Sequence, residues 1–295
     1  MTPSHLKAVL ASAAALLIAG CQSVAFSVAN RGVADADASA IYDAERNLSL
    51  DIYRPAAVDA DTPVVVFFYG GNWKTGSRAQ YRFVGRRLAR SGMLAVVADY
   101  RTFPRATFPG FVEDGARAVA WARTHARQYG GDPSRLFVAG HSAGAQIAAL
   151  IGTDSRYLAA HGFKPRDLAG VIGLSGPYDF VIGEAYAPVF GPREQWPQAQ
   201  ALNHVNGDEP PFLLVHGTGD QVVEAKDSQL LADKLRRNGV ESQLLWLPDA
   251  GHVAPLAAFY SPERNPDVLE AVESFVGIGE SRTVPVIAPH PNNSL

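Results

Sequence analysis

Apolar residues recur along the chain in short blocks, and the lengths of those blocks define its elements. Residues 64–69, 94–98, 136–139, 169–174 and 212–215 are unbroken apolar runs of strand length, as in parallel strands covered on both faces. The first is β-branched and aromatic (Val64, Val65, Val66, Phe67, Phe68, Tyr69) and stops at Gly70 and Gly71, which predicts a central strand. Residues 47–53 alternate Leu48, Leu50 and Ile52 with polar partners, the pattern of a half-exposed edge strand, and 241–247 is the last strand. Helical spacing runs through Phe83, Val84 and Leu88 in 79–90, and through 111–129 to a stop at Gly130 and Gly131. It recurs in 145–150, in 222–238 through Leu230, Leu231 and Leu235, and in 266–276.

Strands alternating with helices predict an α/β fold with a mostly parallel, doubly wound sheet and helices on both faces. One domain over 46–276 accommodates all these elements. Residues 177–211, rich in Pro, Gly, Tyr and Trp, are too long for a plain connection and predict a small lid or pocket wall. Residues 277–295 carry prolines without apolar periodicity and read as a loose tail.

The first residues follow another pattern. Lys7 precedes an apolar stretch, 8–18, of signal-peptide rather than membrane-span length. It ends in Leu17-Ile18-Ala19-Gly20-Cys21, which resembles the lipobox of bacterial lipoproteins, and Cys21 is the chain's single cysteine. The expectation is a lipoprotein signal peptide over 1–20, acylation at Cys21 and a polar tether over 21–45. That places the protein in the bacterial cell envelope, its only membrane contact the lipid anchor. Gln22, in place of aspartate, favours the outer membrane. A formal charge of −3 without a basic run argues against a nucleic-acid partner. No metal cluster or phosphate loop is recognisable, so no metal and no cofactor is expected.

The chemistry centres on Gly140-His141-Ser142-Ala143-Gly144, set between a buried strand and a helix. G-x-S-x-G in that context is a nucleophile elbow. A strand turning at once into a helix brings the residues two before and two after its apex together, and only glycines fit. A serine hydroxyl needs an adjacent base, and in this arrangement acid and base follow it in the order Ser, Asp, His at later strand ends. Asp220 lies in His216-Gly217-Thr218-Gly219-Asp220 after one strand, and His252 follows the last. The assigned triad is therefore Ser142, His252 as base and Asp220 as the acid that orients it. Asp249 competes with Asp220 but is only three residues from His252, and Asp179 is a further alternative. His216 is read as capping its strand end, and His141 as structural or pocket-lining. Oxyanion donors are expected from the amide of Ala143 and, after the central strand, from Gly71 and Asn72. Trp73, Phe103, His141, Tyr178, Phe180 and Trp196 are candidate pocket residues.

Tyr69-Gly70-Gly71-Asn72-Trp73, Asp99-Tyr100-Arg101, the elbow, His216-Gly217-x-x-Asp220 and Gly251-His252 together resemble the α/β-hydrolase fold. Within it they are similar to esterases of the hormone-sensitive-lipase-like, feruloyl-esterase-like, isoprenylcysteine-methylesterase and arylformamidase groups. The resemblance spans about 47–276 and implies a serine carboxylesterase with a small-molecule ester substrate. It carries the same triad and the same three oxyanion residues. Tyr69 stands where many of these esterases have histidine, and Arg105 where one branch has glutamate; both departures favour the isoprenylcysteine-methylesterase-like side. Asp99 and Arg101 are read as loop braces. Two other readings share the pattern: an amidase of arylformamidase or small-peptidase type, and a non-catalytic envelope binding protein on a hydrolase scaffold.

Overall fold

The apolar runs assemble into one eight-stranded sheet in a computed structural model that describes residues 24–278. The strands are β1 (Ala38–Asp43), β2 (Leu48–Tyr53), β3 (Val64–Phe68), β4 (Leu94–Ala98), β5 (Leu136–His141), β6 (Gly170–Leu174), β7 (Phe212–Gly217) and β8 (Ser242–Leu247). Their spatial order is β1-β2-β4-β3-β5-β6-β7-β8, with β2 antiparallel to both its neighbours, β1 and β4, and the remaining pairs parallel. Every residue of β3, β4, β5, β6 and β7 is buried, as their unbroken apolar runs require.

The helices are α1 (Arg82–Arg90), α2 (Gly110–Tyr129), α3 (Ala143–Thr153), α4 (Ser155–Ala159), α5 (Ala187–Phe190), α6 (Lys226–Arg237), α7 (Ala254–Tyr260) and α8 (Pro266–Phe275). Both faces of the sheet are covered, because successive strand residues point to opposite sides. Phe68 lies beside α2 and α3, whereas its neighbour Phe67 meets Tyr81 at the start of α1. α1, α7 and α8 pack with one another on that second side.

The structure corrects the sequence reading in four places. β2 is not an edge strand, because β1 pairs outside it, with Leu50 opposite Ala40. The described part of the expected tether is folded: 24–29 is helical, Phe26 packs on Tyr81, and 38–43 is β1. β1 alternates half-buried and exposed residues and ends on the buried Asp43, so it carries no unbroken apolar run to betray it. α6 starts four residues later than its periodicity suggested, because Asp220 takes the amides of Val222 and Val223 and holds 222–225 out of the helix. α4 and α7, both short, were not anticipated. The signal peptide, Cys21 and residues 279–295 of the expected tail lie outside the described residues.

Candidate active site

The elbow is built by steric necessity. β5 runs straight into α3, and a Cβ on Gly140 would overlap the carbonyl of Gly144, while one on Gly144 would overlap the carbonyl of Phe68 in β3. Ser142 sits at the apex with φ 55° and ψ −122°, a conformation costly for a residue with a side chain. It is held there by its amide, which donates to Leu174 O at 2.9 Å, and by buried neighbours on every side.

The structure brings the three triad candidates into contact. His252 Nε2 lies 2.9 Å from Ser142 Oγ, and His252 Nδ1 lies 2.8 Å from Asp220 Oδ2. Because the carboxylate only accepts, Nδ1 carries the proton and Nε2 is left to accept from the serine hydroxyl. The Asp220 side chain is fully buried, yet both of its oxygens are doubly satisfied. Oδ1 accepts from the amides of Val222 (2.8 Å) and Val223 (3.0 Å), and Oδ2 from His252 and from His216 Nε2 at 3.1 Å. Burial alone would raise the Asp220 pKa; these donors outweigh it and hold the carboxyl below its ordinary range.

His216 is thus more than the strand-end cap expected of it. Its ring is fully buried, its Nε2–H is shared between Asp220 and Val223 O (3.2 Å), and its Nδ1 accepts from Ser228 Oγ at 2.7 Å. Burial pushes its pKa down, against the pull of Asp220, and keeps the ring neutral. His141 is not a pocket residue. It is buried behind the elbow, donates from Nε2 to His252 O at 3.1 Å and so steadies the loop that carries the base. Burial, reinforced by the nearby His252, lowers its pKa to about 3. Of the competing acids, Asp249 is exposed, with its amide on Thr218 Oγ1, and Asp179 lies on the cavity wall, whereas Asp220 is the one bonded to His252.

Opposite the serine, 71–73 forms a tight turn in which Gly71, Asn72 and Trp73 all have positive φ (132°, 55° and 58°). Gly71 is obligatory there, since a Cβ would strike the carbonyl of Thr75. Among the described residues, the amides of Gly71, Asn72 and Ala143 have no acceptor, as an oxyanion hole requires. The loop is braced from below: Tyr100 stacks on Tyr69 at 4.5 Å and donates to Tyr69 O at 2.8 Å. Arg101 pairs with the buried Asp114, and Asp99 accepts from Arg78, so both expected braces hold structure rather than face the site. Arg105 is exposed and donates to Arg46 O at 2.9 Å.

Gln146 is a residue that sequence reasoning missed. Fully buried on α3, it accepts from Trp73 Nε1 at 3.0 Å and donates to Ala199 O at 2.8 Å. It ties the oxyanion loop, the elbow helix and the 177–211 segment together. The signal was available, since it is a long polar side chain in the otherwise small and apolar run 143–151.

A cavity of about 180 Å³ opens at Ser142, walled by Asn72, Trp73, Phe180, Tyr186, Val223 and Asp227 among others. Trp73 stacks on Phe180 at 5.5 Å and meets Phe190 edge-on at 4.8 Å. Of the six pocket candidates, only Trp73 and Phe180 line it. Tyr178 is buried beneath the wall, Trp196 turns to Gly191 O, and Phe103 serves through its amide, which donates to Trp73 O. The 177–211 segment is a pocket wall, contributing Pro177, Asp179, Phe180, Val181 and Tyr186. No group of metal-ligating side chains occurs among the described residues.

Comparison with known proteins agrees with this geometry. Residues 50–235 match the family model described as BD-FAE. The probable carboxylic ester hydrolase LipM of Mycobacterium tuberculosis is 32% identical over 64% of this chain and 48% of its own length. The probable isoprenylcysteine alpha-carbonyl methylesterase ICMEL1 of Arabidopsis thaliana is 28% identical over 70% of this chain and 48% of its own. The chain thus spans about half the length of these relatives. Esterase 2 of Thermogutta terrifontis in its apo form superposes with a TM-score of 0.71 at 26% identity, covering 83% of this chain and 94% of that one. With the elbow, the sheet order and the matched segment in agreement, the chain belongs to the BD-FAE family of the α/β-hydrolase fold.

Proposed function

We propose that the protein is a serine carboxylesterase that works through an acyl-enzyme on Ser142. The observation that carries the reading is the continuous relay Ser142–His252–Asp220, at 2.9 and 2.8 Å, facing three unpaired amides across the cavity mouth. The esterase names of the relatives support it.

In this mechanism Ser142 Oγ attacks the ester carbonyl carbon while His252 Nε2 takes the hydroxyl proton. The carbonyl oxygen gains negative charge and is met by the amides of Gly71, Asn72 and Ala143; each such donor is worth about 3 kcal/mol in the transition state. Asp220 stays ionised, stabilises the imidazolium and keeps its proton on Nδ1. The tetrahedral intermediate collapses, His252 protonates the leaving alkoxide, and water repeats the sequence to release the acid and free Ser142. The cavity is smaller than the roughly 300–1,000 Å³ of drug-sized sites, which favours short acyl groups.

The test is turnover of a p-nitrophenyl ester series, acetate to decanoate, by the wild type and Ser142→Ala. A short-chain optimum and a loss of about 10⁴-fold or more in the variant are expected. If the wild type hydrolyses N-formyl anilides and no ester, the amidase replaces it; if neither is hydrolysed and a fluorophosphonate leaves Ser142 unlabelled, the catalytic reading falls.

Attachment to the bacterial envelope through an acylated Cys21 is the second part of the proposal, supported by Leu17-Ile18-Ala19-Gly20-Cys21 after an apolar run. Labelled palmitate should enter the wild type and not Cys21→Ala. Labelling that survives the substitution would remove the anchor.

A further inference from the structure

The substrate cavity contains a carboxylate that the triad does not use. Asp227, at the start of α6, lines the cavity although only 2% of its surface is exposed. Its Oδ2 accepts the amides of Tyr178 (3.0 Å) and Asp179 (3.4 Å), anchoring the loop after β6. Its Oδ1 has no hydrogen-bond partner among the described residues, and no cation pairs with it. The adjacent Lys226 is committed to Glu224 at 2.5 Å. That oxygen lacks a protein donor among the described residues, and the wall of the pocket is where a ligand can supply one. Burial, chiefly, raises the Asp227 pKa to about 6, so the group is ionised at neutral pH.

We propose that Asp227 is a specificity residue of the substrate pocket, and that the preferred ester carries a hydrogen-bond donor, an O–H or N–H, which Asp227 Oδ1 accepts. This rests on the esterase reading. The aromatic part of the wall, Trp73, Phe180 and Tyr186, takes the carbon skeleton, and Asp227 reads the polar end. A donor to a carboxylate in such a site is worth roughly 10- to 100-fold in kcat/KM over the isostere that lacks it. Asparagine is the discriminating replacement, because its carbonyl oxygen can keep both loop amides while its NH₂ confronts a substrate donor with another donor.

The experiment compares ethyl butyrate with ethyl 3-hydroxypropionate and β-alanine ethyl ester, and propyl acetate with 2-hydroxyethyl acetate. Both the wild type and Asp227→Asn are assayed at pH 7.5. Dividing each donor ester by its isostere within one enzyme removes effects on the catalytic machinery, and comparing enzymes removes intrinsic reactivity. A fall of about tenfold or more in at least one ratio on substitution supports the proposal. Which ratio falls separates acyl from alcohol side and hydroxyl from ammonium. Equal loss on all esters means that Asp227 only anchors the loop and overturns the proposal, as do unchanged ratios.

The wild type gives a second measurement that does not depend on the variant folding. The charged groups facing Asp227 are Asp179 on the loop and Lys226 beside it. The donor-to-isostere ratio should decline as pH falls through about 6, and a ratio flat from pH 7.5 to 5 overturns the proposal. Turnover of plain esters with no donor preference leaves the esterase reading intact and removes only this one; no turnover of any ester removes both.

Discussion

Three histidines in one site do three different jobs because their hydrogen-bond partners differ. His252 faces an acceptor on one side and a hydroxyl on the other, the arrangement the proposed base needs. His216 donates to the acid and is itself fixed by Ser228. Its replacement by phenylalanine removes one of four donors to Asp220, and kcat should fall about 10- to 100-fold with KM nearly unchanged. An unchanged kcat would show that the remaining three donors suffice. His141 tests its neutrality through stability. In the unfolded chain it takes up a proton near pH 6.5, whereas in the folded protein it does so only near 3. Between those values the unfolded state holds the extra proton, so the folded state loses about 1.4 kcal/mol per pH unit as pH falls from 6.5. Asp227, raised to about 6, binds its proton more readily when folded and works in the opposite sense over part of that window. Urea unfolding of the wild type beside His141→Gln from pH 7 to 4 isolates the histidine, and the variant should have the shallower loss. Parallel curves would mean that His141 is protonated in the fold.

At the scale of elements, the site depends on how β3, β5 and α3 approach one another. Gly140 and Gly144 were readable from the sequence because the need for them is local: a strand entering a helix within a few residues leaves no room for side chains. Gln146 was not singled out, because its partners, Trp73 and Ala199, are distant in sequence and meet it only after packing. Gln146→Leu strands a buried indole N–H and a buried carbonyl, each costing about 1–3 kcal/mol. Thermal unfolding should show a fall of at least several degrees, with a rise in KM as the Trp73 wall loosens. No change in Tm would mean that water or a shift of the wall replaces both bonds. The pocket candidates show the same limit: six aromatic and histidine positions were plausible, and packing turned only Trp73 and Phe180 into the cavity.

Across the whole molecule, the described N-terminal segment closes the sheet. β1 covers the backbone edge of β2, and Asp43 at its end pairs with Arg46 and Arg117, the latter also reaching the buried Asp114. A chain beginning at residue 46 exposes the β2 edge and strips Asp43 from Arg117. A loss of about 3–5 kcal/mol is expected, with self-association on size exclusion. A truncated chain that unfolds at the wild-type temperature would show that β1 is dispensable. The 177–211 segment is held equally firmly. Leu202 N donates to Tyr178 O, Phe108 N to Val189 O, and Gln200 bonds both the amide and the carbonyl of Phe180.

The sequence by itself determined the parallel sheet, the elbow, the order Ser142, Asp220, His252, and the glycines of the oxyanion loop. Each of these is written locally, in apolar runs covered on both faces or in turns where only one residue type fits. Tertiary structure decided the rest. It paired β1, which has no unbroken apolar run, and recruited His216 as a donor to Asp220. It also placed His141 behind the base and gave Asp227 an oxygen that nothing in the described chain satisfies. These depend on which atoms meet once the chain has packed: His141 and His252 are 111 residues apart and Tyr178 and Asp227 49, and even the four-residue step from His216 to Asp220 is set by how the loop folds, so none leaves a periodic trace along the chain.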